Sequence, residues 1–214
     1  MTYLEIVNDV MARLRESSVA SPTATTYSTL IAKYVNDSKR QIENAWNWEA
    51  LYQTIPITTV ASTHLYTITG SGKTQKDVTV FDATNRVQLK NVPLEWILKQ
   101  QQLTTVQTGP AFYYAWAGNN GTDSKVELFP TPNGVATINF NMYVPQVDLS
   151  ASGDVCLVDG VAVALGAYAR AIVERGEDGG IASSEAGALM KTHVNDLISL
   201  EAGRNMKYGE WCAV

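Results

Sequence analysis

Ile42-Glu-Asn-Ala-Trp-Asn-Trp-Glu-Ala-Leu-Tyr-Gln-Thr-Ile-Pro-Ile-Thr-Thr-Val60 is the stretch in which the chain changes period. Before it, Tyr27, Leu30, Ile31, Tyr34 and Val35 recur at spacings of one, three and four, and Ile42, Ala45 and Trp46 continue the pattern, as one face of a helix requires. From residue 52 onward the apolar residues alternate, the pattern of a strand with one buried face. The spacing therefore predicts a helix over 25–50 followed by sheet.

Toward the N-terminus, Leu4, Val7, Val10, Met11 and Leu14 form a second apolar stripe, and Thr2 with Glu5 is a T-x-x-E capping box. A helix over 2–17 is expected, joined to the next by the small-residue connector Ser17 to Thr26. The far face of the second helix carries Lys33, Asp37, Lys39, Arg40 and Glu43, a mixed-charge pattern that reads as a solvated or subunit-facing surface.

Toward the C-terminus, short Thr-, Val-, Ile- and Tyr-rich runs at 54–60, 63–69, 77–81, 86–89, 111–116, 125–129 and 135–144 are separated by turn residues and read as antiparallel sheet. Pro93 to Gln102 interrupts them with a predicted short helix. After Ser150, Val161, Leu165, Tyr168 and Ile172 restore helical spacing up to Arg175-Gly-Glu-Asp-Gly-Gly180, and a last helix is expected over 181–203. Neither terminal helix pair can bury its stripe alone. The expected fold is thus α+β: a helical bundle from residues 1–50 and 151–204, an inserted antiparallel β region with a short helix over 51–150, and a C-terminal tail at 205–214.

A chain of 214 residues buries roughly 70 % of its unfolded surface, so a core forms without a disulfide or metal staple. Only 17 % of residues are charged, and 16 Lys+Arg against 21 Asp+Glu leave a net charge of −5. That balance excludes a protein that grips nucleic-acid phosphates over its whole surface. Most of the acidic excess, −4, lies in residues 151–214. Cys156 and Cys212 have no CxxC spacing, and no apolar run is long enough to span a membrane.

Gly70-Ser-Gly-Lys-Thr74 ends like a phosphate-binding loop, but Thr67 stands where the first glycine belongs and the residues that follow have strand period. The stretch reads as a hairpin tip. His64 and His193 have no metal-ligand spacing. Ser71, Ser183 and Ser184 lack a nucleophile setting, and Cys156 reads as an inert buried thiol. Glu174, Glu177 and Asp178 read as a solvated loop. No enzyme activity, cofactor or metal is expected.

The aromatic residues divide into three groups. Trp46 with Trp48, and Tyr113 with Tyr114 and Trp116, fall at element periods and read as core. Tyr208 and Trp211, flanked by Met206 and Val214, belong to no periodic segment and read as anchors of a partner-binding tail.

Five pieces of the chain carry a resemblance: Glu5-Ile-Val-Asn-Asp-Val-Met-Ala-Arg-Leu14; Ile42 to Trp48; Lys125-Val-Glu-Leu-Phe-Pro-Thr-Pro-Asn-Gly134 leading into a strand with Tyr143; Gly176-Glu-Asp-Gly-Gly180; and Lys207-Tyr-Gly-Glu210. In these and in its layout the chain resembles the head-to-tail adaptor proteins of short-tailed bacteriophages, the tail tubular protein A type. The resemblance implies a structural virion protein assembled in the host cytoplasm and located in the tail or neck. It would form a ring, twelvefold, beneath the portal protein, joined to the tail nozzle protein and the tail fibres, with genomic DNA passing through the lumen without sequence-specific binding and with no membrane partner. Two other readings are another head-completion or tail component and a β-type ligand-binding module built on Tyr113, Tyr114 and Trp116.

Overall fold

The computed structural model describes residues 1–103, 105–176 and 181–203, without the side chains of residues 77, 78, 103 and 181–183. It divides into two compact units, one of Met1–Ala50 with the chain from Gln146 onward, the other of Leu51–Pro145.

In the first unit, α1 (Tyr3–Arg13), α2 (Thr26–Ala45) and α5 (Ile181–Ala202) all pack on α4 (Gly160–Arg175). Thr2 and Glu5 make the predicted capping box on α1, and Thr25 with Ser28 makes a second one on α2. Along α4, Ala162, Ala164, Ala167 and Ala171 are fully buried, and these small side chains let the neighbouring helices approach. At Gly166 α4 comes close to α2, since a Cβ there would lie 3.0 Å from Ser38 Oγ. Gly176 ends α4 in the left-handed conformation, φ 65°, and its amide donates back to the carbonyls of Ile172 and Val173. Arg175, one residue earlier, donates to Tyr27 Oη at 2.8 Å and to the Leu14 carbonyl at 3.2 Å, which ties the α1–α2 connector to this corner.

Helix α2 stops short of the predicted residue 50. Trp46 is extended, and Trp48 folds back so that its indole Nε1 donates to the Ile42 carbonyl at 2.7 Å. One of the carbonyls that a helix end leaves without a partner is thereby satisfied by a buried side chain.

The second unit is a sheet of β1 (Tyr52–Thr58), β2 (Leu65–Thr67), β3 (Lys76–Asp82), β4 (Val87–Asn91), β5 (Tyr113–Asn119), β6 (Ser124–Phe129) and β7 (Thr137–Tyr143), in the order β1-β7-β3-β4-β5-β6-β2. The sheet curls until it is nearly closed. Its end strands, β1 and β2, are consecutive in the chain, and the corner between them is pinned by Tyr66 Oη, which donates to the Thr63 carbonyl at 2.8 Å and accepts from the Val60 amide at 3.0 Å. The concave side encloses one apolar core of Ile57, Val80, Leu89, Tyr114, Leu128 and Phe140 with their neighbours. On the other face, α3 (Leu94–Leu103) lays Ile97 and Trp96 on Ala115, Tyr113 and Phe129.

This architecture corrects the expected fold class. The protein is α+β with a seven-stranded, nearly closed mixed sheet and five helices, and not a helical bundle carrying a β insertion. Nor is the sheet wholly antiparallel: β4 and β5 run parallel, Lys90 opposite Tyr113 and Asn91 opposite Tyr114. Two parallel neighbours need a crossover, and α3 supplies it. Its sequence was legible as a helix interrupting the strands. That it returns the chain to the same end of the sheet was not.

Candidate functional site

The Gly70–Thr74 stretch is not a hairpin tip. It connects β2, which pairs with β6, to β3, which pairs with β4 and β7, so the two strands it joins are not partners. Gly70 and Gly72 have φ of 89° and 64°, and their amides point at Asp123 Oδ1, at 3.0 and 3.3 Å. Ser71 is buried beside them, where its Oγ accepts from the Ser124 amide at 3.1 Å. The donors that a phosphate would need are therefore held by a carboxylate of the protein itself, whose charge repels an incoming anion. Lys73 is exposed.

The other candidates for chemistry do not converge. His64, in the sheet unit, sits with Nδ1 3.1 Å from Glu127 Oε1; His193, on α5, sits with Nε2 3.1 Å from Asp159 Oδ1. Asp159 also caps α4 by accepting from the Ala162 amide at 2.7 Å, so this carboxylate serves a helix end. Cys156 is buried, and that burial pushes its thiol pKa up, away from the thiolate a nucleophile requires. Ser184 is an exposed residue of α5, and Glu174 lies exposed near the end of α4. The side chain of Ser183, with Glu177 and Asp178, lies outside the described residues. Among the described residues no cluster of His, Cys, Asp and Glu is arranged to hold a metal ion, and no helix is long and apolar enough to cross a membrane.

Alternation along β5 sends its aromatic rings to different places. Tyr114 and Trp116 pack edge-on at 6.1 Å inside the curved sheet with Phe140, whereas Tyr113 lies 5.1 Å from Trp96 of α3. These rings support two separate packing layers rather than one ligand-facing platform.

Sequence reasoning missed the clasp on α2. Lys39 and Glu43 were expected on a solvated or subunit-facing surface, yet Lys39 is fully buried and Glu43 is 2 % exposed within the subunit itself. The segment returning from the sheet unit covers them. Lys39 Nζ donates to Glu43 Oε1 at 3.0 Å and to the Gln146 carbonyl at 2.6 Å, and the Gln146 amide donates to Glu43 Oε1 at 3.2 Å. One turn away, Asn36 clamps Leu149 at both its amide and its carbonyl, and Arg40 pairs with Asp148. Burial pushes the Glu43 carboxyl up, and the Lys39 ammonium opposes that shift. The i,i+4 spacing of Lys39 and Glu43 was the available signal, but it belongs equally to solvated helix faces.

The four tail residues named from the sequence, Met206, Tyr208, Trp211 and Val214, lie outside the described residues. Near the point where the described chain ends, α5 borders a groove of about 190 Å³ lined by Trp48, Leu157, Val158, Leu197, Leu200 and Glu201.

The SU10 adaptor protein family matches residues 1–209, which takes in both compact units. The chain belongs to that family and is a bacteriophage structural adaptor protein, in agreement with its resemblance to head-to-tail adaptors. No curated protein matches the sequence.

Proposed function

We propose that the chain is the head-to-tail adaptor of a bacteriophage virion: a non-enzymatic subunit that forms a twelvefold ring in the neck, joins the portal protein to the tail nozzle, and leaves an axial channel through which genomic DNA passes. The match of the adaptor family across residues 1–209 carries this reading. The surface agrees with it. Val147, Val155, Val173 and Leu200 in the helical unit and Val106 and Val135 in the sheet unit are each more than half exposed, on a chain with only 17 % charged residues. Apolar surface of this kind suits burial against other subunits. A net charge of −5 suits a channel in which DNA slides without being gripped. The tail at 205–214 is the docking element toward the portal or a neighbouring subunit, with Tyr208 and Trp211 as its anchors and Met206 and Val214 beside them. Contacts with the tail fibres and assembly in the host cytoplasm complete the proposal.

Native mass spectrometry of the chain co-expressed with its portal protein tests this reading. A discrete complex of one portal ring and twelve copies of the chain is expected. Absence of any stable complex with the portal would overturn it.

A further inference from the structure

Helix α5 carries two unlike sides within the same two turns. Glu185 and Leu189, four residues apart, share one side as an exposed ridge, Leu189 being 55 % exposed. Gly187 and Lys191 each lie two residues further along, a rotation of about 200° in an α-helix, and therefore project from the opposite side. There α5 borders a groove of about 340 Å³, lined by Gly166, Ala169, Arg170 and Val173 of α4 together with Gly187 and Lys191.

Ridge and groove complement each other in shape, polarity and charge. A Cβ on Gly187 would meet nothing within 4 Å, and Ala169 opposite contributes a single methyl, so the groove has room for a side chain the size of leucine. Val173, 64 % exposed, supplies an apolar wall. Arg170 donates to Ser38 Oγ, to Gln41 Oε1 at 2.8 Å and to the Gly166 carbonyl at 3.3 Å, neutral acceptors that hold the guanidinium in place without cancelling its charge. Among the described residues neither Arg170 nor Lys191 pairs with a carboxylate, and Glu185 pairs with no cation.

Opposite sides of one helix cannot meet within a subunit, so the ridge of one copy has its complement on another copy. A two-fold dimer cannot engage both patches, because they face opposite ways, and a two-fold axis at either one would set Glu185 against Glu185 or Lys191 against Lys191. Head-to-tail contact places ridge on groove. Both patches occupy the same height along α5, so copies added in this way, with α5 along the ring axis, extend sideways with little rise, as closure requires. We propose that the α5 ridge of one copy docks in the α4–α5 groove of the next, with Leu189 laid on Gly187 and Ala169 and Glu185 facing Arg170 and Lys191. This contact rests on the ring reading proposed above and supplies the surfaces that build the ring.

Native mass spectrometry of the chain co-expressed with its portal protein tests the contact in E185K, K191E and the double variant E185K/K191E. Both positions are exposed, and circular-dichroism melts of the isolated chains keep assembly separate from folding. Like charges brought together across an interface oppose association. Each single reversal should therefore lower the population of the full complex at least about tenfold, and the double variant should recover part of that loss. Full assembly of both single variants would overturn the contact while leaving the ring reading intact. Loss in the single variants with no recovery in the double would also overturn it, by showing that the two residues do not face each other. Failure of the unsubstituted chain to form a multi-copy complex would overturn the ring reading, and the contact would fall with it.

Discussion

The Asp123 carboxylate accepts a hydrogen bond from the Gly70 amide at 3.0 Å and, through the same oxygen, from the Gly72 amide at 3.3 Å. A loop whose glycines imitate a phosphate-binding sequence is thus filled by an internal anion, and its role is to anchor the β2–β3 connection to the β5–β6 turn. Asp123→Ala should destabilise the protein by about 1–3 kcal/mol, the cost of removing a charged acceptor from two amides, whereas Lys73→Ala should stay within about 0.5 kcal/mol. Urea unfolding measures both. Neither the unsubstituted protein nor Lys73→Ala should bind ATP saturably by calorimetry; binding that the lysine substitution abolished would reverse this account of the loop.

Lys39 and Glu43 form an ion pair with both side chains inaccessible to solvent. Removing one partner leaves the other charge buried and uncompensated, so Lys39→Met or Glu43→Leu alone should cost about 3–5 kcal/mol. The double substitution should cost much less than the sum of the two, because apolar groups of similar volume tolerate this site. A double-mutant cycle on unfolding free energies checks the coupling; additive losses would mean that the pair does not act as a unit.

Stability toward acid should depend on Asp154 and Glu5. The Ser150 and Ala151 amides lower the Asp154 carboxyl pKa below its ordinary 3.8, and the Thr2 amide and hydroxyl lower that of Glu5 below 4.5. A group with a lowered folded pKa stabilises above its unfolded value, and that contribution is lost as the pH falls through the folded one. Glu43 has the opposite sign: burial raises its pKa, so ionisation opposes folding at neutral pH and that penalty fades in acid as the group protonates. Denaturation midpoints measured from about pH 6 down to pH 2 should fall less steeply for Asp154→Asn than for the unsubstituted chain. An unchanged slope would remove Asp154 from the acid response.

Gly166 lies where α4 meets α2, and a Cβ there would sit 3.0 Å from Ser38 Oγ and 3.2 Å from Ser38 Cβ, a tight contact that a larger side chain would worsen. Gly166→Val should lower the melting temperature by an amount equivalent to about 1–3 kcal/mol, the cost of overpacking a close helix contact. Gly187 of α5, where a Cβ would meet nothing within 4 Å, serves as the control, and Gly187→Ala should be neutral or slightly stabilising.

Much of the element order was legible because burial imposes a period. The change near Trp46, the capping box at Thr2 and the stop at Gly176 each leave a local signature, and each falls within a few residues of its predicted place. Strand order was not legible, because pairing β4 with β5 in parallel depends on where α3 delivers the chain, and no short motif records that. The burial of Lys39 was equally hidden. Its cover comes from Gln146, more than a hundred residues away, and the same Lys-x-x-x-Glu pattern serves on open helix faces. The Gly70 loop misled for a related reason: its partner, Asp123, lies in a different turn, and only the fold brings the two together.

The central claim is that this family member works as a ring between portal and tail. Electron cryomicroscopy of the neck of the phage that carries it, with density traced for residues 1–214, tests that claim most directly. The account predicts twelve copies around the DNA axis, in contact with the portal on one side and the nozzle on the other, with Tyr208 and Trp211 buried in a neighbouring chain. Density for the protein elsewhere in the virion, or at the neck in a single copy off the axis, would contradict it.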